Sequence, residues 1–173
     1  YAKQNLRTSG RDLRVAEVSR NSFEQVALAL LVTLAERFSK GSPPLSHEQL
    51  SALLFIPPRL CRSILSLLQS IGFVSVHCSR TGHCRYQLGR SAENLSLAEI
   101  IKQLRDRGEE VLHLYPHPQT LVALETCRKL ELLVADGLQG TTLKDLVVSS
   151  QEQGQAEPVL SINDGDKKRS QPG

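Results

Sequence analysis

Residues 45–88 decide the fold, and they read LSHEQLSALLFIPPRLCRSILSLLQSIGFVSVHCSRTGHCRYQL. Apolar residues recur at helical spacing in two segments, which the Pro57-Pro58 pair separates. Directly after Gly72 the apolar period changes to that of a strand. Two short strands, the second predicted at Cys84–Leu88, flank a predicted turn at 79–82. Two helices joined by a tight turn and followed by a hairpin are typical of a winged helix-turn-helix.

The two helices carry clear start signals. Ser46 is the predicted N-cap of the first helix, and Gln49 stands at the capping-box position three residues later. Pro58 suits the first position of the second helix, 59–71, where its missing N–H is not needed. The residues expected to face the core are Leu50, Leu53, Leu54, Leu60, Ile64, Leu67, Leu68 and Ile71.

Further helices are predicted on both sides of this motif. Helix 23–40, capped by Ser22 with Phe38 on its apolar face, precedes it, and helices 97–107 and 119–135 follow it around a loop at 111–118. A short final turn is expected at TTLKDLV. The predicted fold class is mainly α with a small β-hairpin, a winged helix-turn-helix plus a long C-terminal helix.

The domain organisation follows from where the apolar pattern begins and ends. Residues 1–20 are interpreted as a basic linker, and 21–148 as the winged-helix domain with its C-terminal helical extension. Residues 149–173 carry few large apolar side chains and are expected to be a disordered tail.

The composition is that of an ordinary globular protein. Hydrophobic residues make up 40% of the 173, aromatic residues only 4%, and the formal net charge is +3. No apolar run reaches the roughly 18–20 residues of a membrane span, and no signal peptide is recognised. Because the chain starts at Tyr1 and contains no Met, we expect residues upstream to be missing.

Four cysteines allow two disulfides by number. Cys61 and Cys127 each fall on the apolar stripe of a predicted helix, where buried free thiols are common. Without a secretion signal, reduced cysteines in a cytosol are the expectation.

Basic residues mark a candidate nucleic-acid surface. Residues 45–90 contain five arginines against one glutamate. The outward stripe of the second helix is a candidate for base contacts, and the wing is a candidate for phosphate contacts. The candidate residues are Arg59, Arg62, Ser63, Ser66, Gln69, Arg80 and Arg85. The alternative is a solvated face on a winged helix that binds protein.

The wing also carries two His-Cys pairs. In a four-residue loop register, His77 is expected opposite Cys84 and Cys78 opposite His83. Zinc takes four such ligands, but adjacent strand residues point to opposite faces. An exposed hairpin without metal is therefore favoured over a zinc site.

Enzymatic chemistry has no basis in these residues. The acidic residues are scattered, and His113 and His117 lack a Ser, Cys or Asp partner at a recognisable spacing. No Gly-rich phosphate loop is present. We therefore expect no enzyme, no cofactor and no small-molecule substrate.

Helix 119–135 is the candidate for self-association. Its wide apolar face is centred on Leu121, Leu124, Leu130 and Leu133. An exposed face of this kind usually binds a partner, and a homodimer is the commonest solution. In the alternative, the helix folds back and covers its own domain.

Several short motifs resemble the cytosolic C-terminal region of the YihY/BrkB family, bacterial inner-membrane proteins often labelled ribonuclease BN. They are YAKQN at the start, Arg37-Phe38 with Gly41 and Pro43-Pro44, and the Pro57-Pro58-Arg59-Leu60 helix start. This resemblance implies a regulatory or interaction module on the cytoplasmic face of the inner membrane. Its partner would be an upstream membrane domain of the same polypeptide. The family's ribonuclease label, the third hypothesis, finds no supporting residues here.

Residues 45–148 also resemble the Rrf family of winged-helix repressors, on the LSLAEII segment and the closing TLKDL. This resemblance implies the rival hypothesis, a free dimeric DNA-binding regulator that pairs through its long C-terminal helix. Some members of the family carry an iron–sulfur cluster on cysteines just after the fourth helix. Residues 108–118 contain no Cys, so no cluster is expected.

Overall fold

The computed structural model describes residues 18–106 and 117–156. Their helices are α1 (Arg20–Ser39), α2 (His47–Leu54), α3 (Pro58–Ser70), α4 (Leu97–Arg105), α5 (Pro118–Gly137) and α6 (Leu143–Ala156). The strands β1 (Val74–Cys78) and β2 (Cys84–Leu88) form a two-stranded antiparallel sheet, and a 3-10 turn spans Ala92–Asn94. The predicted fold class, mainly helical with a small hairpin, is confirmed.

The helix-turn-helix follows its local signals. Ser46 Oγ accepts from the Gln49 N–H at 3.3 Å, and Gln49 Oε1 accepts from the Ser46 N–H at 2.9 Å, so the capping box is confirmed. Pro58 begins α3 as predicted. Leu53, expected in the core, is 55% exposed, because the buried side of this short helix is centred on Leu50 and Ser51.

The register of the wing differs from the expected one. The loop has five residues, 79–83, because the Ser79 N–H donates to the His83 carbonyl at 2.9 Å. His77 therefore lies opposite Arg85, and Cys78 lies opposite Cys84. The two His-Cys pairings that the four-residue loop predicted are wrong.

An isolated β-bridge joins the hairpin to the residue before the N-cap of α2. Leu45 pairs with Tyr86 through two backbone hydrogen bonds of 3.2 and 2.7 Å, which fixes β2 beside the start of α2. At the end of β2 the chain passes so close to β1 that a Cβ on Gly89 would lie 3.1 Å from the Gly72 carbonyl oxygen and 3.3 Å from the carbonyl carbon of Phe73. Only glycine fits there without a shift of the backbone.

The core lies between α1, α3, the wing, α4 and α6. Helix α1 starts three residues earlier than predicted, because Ser19 rather than Ser22 is the cap. Phe38, predicted on its apolar face, is 53% exposed in the last turn, where the helix has passed the core. Side chains with no exposed surface include Leu30, Leu31, Leu50, Ile64, Leu65, Leu68, Phe73, Leu95, Ile100 and Leu143.

An ion pair joins α1 to α4. Arg105 Nε and Nη2 donate to the two carboxylate oxygens of Glu24 at 2.8 and 3.1 Å. The Glu24 side chain is 11% exposed and that of Arg105 is 32% exposed. The hydrogen bonds from Glu24 raise the pKa of Arg105 above its ordinary value.

The C-terminal part is more helical than predicted. Helix α6 replaces the expected short turn and continues past residue 149, where the disordered tail was expected to begin, to Ala156. Leu143 and Val147 of α6 are buried and pack in the same core as α1. The loop at 111–116, the linker at 1–17 and residues 157–173 lie outside the described residues.

Helix α5 is the exception to this compact packing. None of its residues, all of which the structure describes, is buried. Leu121, Leu124, Leu130 and Leu133 are each more than half exposed. The alternative in which this helix folds back to cover its own domain is therefore not what the structure shows.

The cysteines fall into three environments. Cys61 is buried in α3, and burial raises the pKa of its thiol to about 11. Cys127 is exposed on α5, although it was expected on a buried stripe. Cys78 and Cys84 form a disulfide, so the expectation of four reduced cysteines is wrong for these two. Their pairing follows from the five-residue loop, which places them directly opposite each other.

Among the described helices, none is by itself long and apolar enough to cross a membrane. Helices α2 and α3 meet that criterion only as a pair, and the pair is bent by 118°.

Candidate nucleic-acid interface

Helix α3 presents a polar stripe to solvent. Its opposite side is buried through Leu60, Ile64 and Leu68, and the amphipathic spacing leaves the remaining positions outside. All five candidate base-contacting residues of this helix are exposed: Arg59, Arg62, Ser63, Ser66 and Gln69.

Arg62 is held against the beginning of α2. Its Nη2 donates to His47 Nε2 at 2.7 Å. Glu48 Oε1 lies 3.0 Å from the same nitrogen, which cannot accept from Arg62 and donate to Glu48 at once. The Ser46 hydroxyl, which hydrogen-bonds to Glu48, lowers the pKa of that carboxyl. The Arg62 guanidinium is thus positioned by its hydrogen bond to His47, and an anionic ligand can replace that bond.

The wing places two further arginines beside α3. Arg80 is exposed in the loop, and within the described ranges no hydrogen bond or ion pair of its side chain is seen. Gly82 takes a φ of +81° and donates its N–H to the Ser79 carbonyl at 3.0 Å, which shapes the turn around Arg80. Arg85 Nη1 donates to the Pro44 carbonyl at 3.1 Å, close to the start of α2.

An open groove connects Arg62 of α3 with Arg85 of the wing, and Arg80 does not line it. It has a volume of about 700 Å³ and lies between the start of α2, α3 and the wing. Arg62 and Arg85 both line it, together with His47, His83 and the carboxylate of Glu48. The buried Tyr86 also lines it, and burial raises the pKa of its hydroxyl. Two guanidinium groups bordering one groove make it a suitable place for an anionic group such as a phosphate.

Arg90 does not belong to this surface, although it contributes to the positive charge of residues 45–90. Its Nη1 lies 3.4 Å from Glu99 Oε1, and its guanidinium lies 5.8 Å from the centre of the Phe73 ring. The sequence alone did not reveal that this charge is already paired on another side of the domain.

The candidate metal ligands of the wing are not brought together. Two of the four, Cys78 and Cys84, are bonded to each other, and His77 Nε2 lies 3.2 Å from the Gln87 side-chain amide. Within residues 18–106 and 117–156, no three His, Cys, Asp or Glu side chains are grouped so that they could hold a metal ion. His113 lies outside the described residues, and His117 is exposed at the start of α5.

A helix-turn-helix, a two-stranded wing and an exposed polar stripe on α3 define the class of winged-helix proteins. The family model "Rrf2: Iron-dependent Transcriptional regulator" matches residues 20–149. This match covers most of the chain, so the chain belongs to the Rrf2 family.

Solved structures agree with this fold. An IscR from T. potens is similar with a TM-score of 0.57 and 18% identity, over 85% of this chain and 95% of that protein. CymR, the global cysteine regulator of B. subtilis, has a TM-score of 0.54 and 20% identity, over 76% and 96%. CymR of Staphylococcus aureus has a TM-score of 0.50 and 24% identity, over 72% and 94%. No curated protein sequence matches the chain significantly.

The family match corrects the leading functional hypothesis. The chain was expected to be a module of a YihY/BrkB membrane protein, and this is wrong, because the Rrf2 family accounts for residues 20–149. Two of the three motifs that suggested the membrane family are helix signals, and the third, YAKQN at the start, lies outside the described residues. Gly41 with Pro43-Pro44 ends α1, and Pro58 starts α3, and any winged helix can use such residues. The family model and the similar structures support neither an upstream membrane domain as partner, nor attachment to a membrane, nor ribonuclease activity.

The residues of this chain do not fit the iron–sulfur cluster that the family's iron dependence implies. Such clusters need three or four thiolates close together. Cys78 and Cys84 are bonded to each other, Cys61 is buried in α3, and Cys127 is exposed on α5. The segment 108–118 contains no Cys. The cysteines therefore do not form a cluster site within this chain.

Proposed function

We propose that the chain is a dimeric DNA-binding transcriptional regulator that inserts α3 into the major groove and places its wing on the phosphate backbone. The observation that carries this proposal is the exposed polar stripe of α3 beside two wing-side arginines. The proposal involves no catalysis, and membership of a family of transcriptional regulators supports it.

The stripe on α3 has the chemistry of base recognition. An arginine pairs in a bidentate manner with guanine, a glutamine does so with adenine, and serine hydroxyls accept either role. Arg59 lies in the first turn of α3 and Gln69 in the last. Because the first turns of a recognition helix contact base edges, Arg59, Arg62 and Ser63 are the expected readers of sequence.

The groove beside the wing suits the DNA backbone. Arg62 and Arg85 border it from α3 and β2, and Arg80 extends from the loop. Contacts to phosphate carry no sequence information, but they fix the register of the protein on the duplex. We therefore assign Arg80 and Arg85 to positioning and the α3 residues to specificity.

Dimerisation is proposed through α5. Leu121, Leu124, Leu130 and Leu133 are 52%, 52%, 58% and 67% exposed, on a helix whose residues are all unburied. Covering such apolar side chains is favourable by about 25 cal/mol per Å² of apolar surface. A two-fold pair would carry two copies of α3, which predicts an inverted-repeat DNA site.

Binding and selection from a random-sequence duplex library test the DNA proposal. The expected result is enrichment of an inverted repeat, and on that duplex Arg59→Ala should lose about 10-fold or more in affinity, from the cost of a lost bidentate base contact. Lys102→Ala, which removes an exposed charge from α4, is the matched control and should bind like the wild type. No enrichment of any sequence would overturn the proposal.

Sedimentation tests the dimer independently of DNA. The unmodified chain should sediment as a dimer at tens of micromolar, and Leu124→Glu/Leu130→Glu should be a folded monomer, because a buried unpaired charge is costly. A monomeric unmodified chain would refute the α5 interface.

A further inference from the structure

The disulfide lies at the base of the wing loop, residues 79–83. Cys78 is the last residue of β1 and Cys84 the first of β2, with their Cα atoms 4.0 Å apart. Together they enclose residues 79–83, which include Arg80. The disulfide bond therefore joins the two ends of the loop that carries Arg80.

The bond is accessible to other thiols. Cys78 and residues 79–83 are exposed, and Cys84 is half-buried. Thiol–disulfide exchange requires a thiolate to approach one sulfur directly, so exposed disulfides are the labile ones. The thiol of Cys61 is the contrast, because it is fully buried and its pKa is raised to about 11.

We propose that Cys78–Cys84 is a reversible redox site that a dithiol reductant opens and a low-molecular-weight disulfide closes, and that its state sets the DNA affinity of the wing. The part that concerns DNA rests on the proposed function. The part that concerns exchange at the two cysteines does not.

The reduction takes place in two thiol–disulfide exchange steps. A thiolate of the dithiol attacks Cys78 Sγ, the S–S bond breaks, and the Cys84 thiolate leaves and takes a proton. The second thiol of the reductant, as its thiolate, then attacks the reductant's other sulfur, which is bonded to Cys78 Sγ. This releases the Cys78 thiolate, which is protonated. The reductant ends as a cyclic disulfide, having given two electrons and two protons. A disulfide such as oxidised glutathione reverses the change and leaves as two thiols.

Opening the bond should loosen the loop. Its remaining closures are exposed hydrogen bonds. The Ser79 N–H donates to the His83 carbonyl at 2.9 Å, the Gly82 N–H to the Ser79 carbonyl at 3.0 Å and the His83 N–H to Ser79 Oγ at 3.2 Å, and Ser79 Oγ lies 2.8 Å from Thr81 Oγ1. Solvent competes for such bonds, and the buried residues of the hairpin, Val74, Tyr86 and Leu88, lie away from the loop and do not hold it. Arg80 then loses its fixed position, and we expect DNA affinity about 5- to 10-fold weaker, close to the loss of one phosphate contact per wing.

The test measures the thiols and DNA affinity on one sample. The full chain carries Cys127→Ser, which removes the exposed thiol, and is equilibrated in dithiothreitol or in oxidised glutathione. Alkylation with mass spectrometry counts the free thiols at Cys78 and Cys84, and fluorescence anisotropy measures affinity for the selected duplex. We expect both cysteines alkylated and weaker binding in dithiothreitol, with both changes reversed in oxidised glutathione.

Two variants separate the explanations. Cys78→Ser/Cys84→Ser should bind like the reduced chain in both buffers, and Arg80→Ala should remove most of the difference between the two states. Thiols that stay free in oxidised glutathione would overturn the redox site. Equal affinity in both states, with the thiols converted, would overturn the link to DNA and leave the proposed function standing. A chain that binds no duplex in either state would overturn that link and the proposed function together.

Discussion

Phe55 is held in a conformation that its side chain disfavours. It closes α2 with φ 53° and ψ 39°, in the left-handed region, and its side chain is 92% exposed. An L-residue in that region costs about 1–2 kcal/mol. Because the ring is almost fully exposed, its removal forfeits little packing.

Phe55→Gly should therefore stabilise the fold. Glycine relieves the backbone cost, but the freedom it adds to the unfolded chain offsets about 0.4–1 kcal/mol. The net expectation is a free energy of unfolding about 0.5–1 kcal/mol higher than that of the wild type. Phe55→Ala keeps the left-handed cost and should be close to the wild type.

Urea unfolding followed by far-ultraviolet circular dichroism measures these differences, at one chain concentration so that association does not contribute. Ala52→Gly is the matched comparison, because Ala52 is exposed inside α2. There glycine should lower the free energy of unfolding by about 0.5–1 kcal/mol. A Phe55→Gly chain less stable than Phe55→Ala would show that the left-handed backbone at residue 55 does not destabilise the fold.

Three further predictions concern stability. Glu24→Ala breaks the ion pair with Arg105 and should cost about 1.5–3 kcal/mol in urea unfolding, less than for a fully buried pair because the arginine can turn to water. Gly89→Ala should cost about 1–3 kcal/mol, because its Cβ meets a carbonyl oxygen at 3.1 Å, whereas Gly137→Ala, with open space around it, should not destabilise. Burial raises the pKa of Cys61 from 9.0 to about 11, so the folded thiol keeps its proton after the unfolded chain has lost it. The free energy of unfolding should fall between about pH 9 and pH 11, by up to about 2–3 kcal/mol, and Cys61→Ala should show less of that fall. Loss of less than 0.5 kcal/mol (about the smallest resolvable effect) in Glu24→Ala or Gly89→Ala, or an unchanged pH profile in Cys61→Ala, would contradict these expectations.

Local chemistry made much of the fold predictable. The capping box of Ser46 and Gln49 and the proline at the start of α3 depend only on neighbouring residues, and both are confirmed. The second wing strand was also placed correctly, at Cys84–Leu88. Such signals are readable because the groups that satisfy each other lie within four residues.

Contacts between distant residues were not predictable in this way. One additional residue in the wing loop changed every cross-strand pair and created the disulfide between Cys78 and Cys84. The polar C-terminal half of α6 looks disordered by composition, yet it continues a helix that Leu143 and Val147 dock into the core. In both cases tertiary packing decides the outcome.

The sequence identified exposed candidate residues, but it did not predict how they are arranged in space. All seven candidate contact residues are exposed: Arg59, Arg62, Ser63, Ser66, Gln69, Arg80 and Arg85. The contact of Arg62 with His47 joins residues that the sequence separates, and no local pattern predicts it. Their role in DNA binding stays a prediction.

The salt dependence of DNA affinity tests directly whether the arginines of α3 and the wing form the DNA interface. Four arginines per chain are assigned to the interface, namely Arg59, Arg62, Arg80 and Arg85. If the two wing arginines assigned to phosphate, Arg80 and Arg85, each neutralise one phosphate in both chains of a dimer, about four counter-ions are released. The logarithm of the binding constant should then fall with the logarithm of the salt concentration with a slope of about −4 on the selected duplex. We expect this slope for the wild type and for Lys102→Ala. When all four arginines are replaced by alanine in a chain that stays folded, we expect a slope near zero and much weaker binding. A wild-type slope near zero, or a fourfold variant that binds like the wild type, would contradict it.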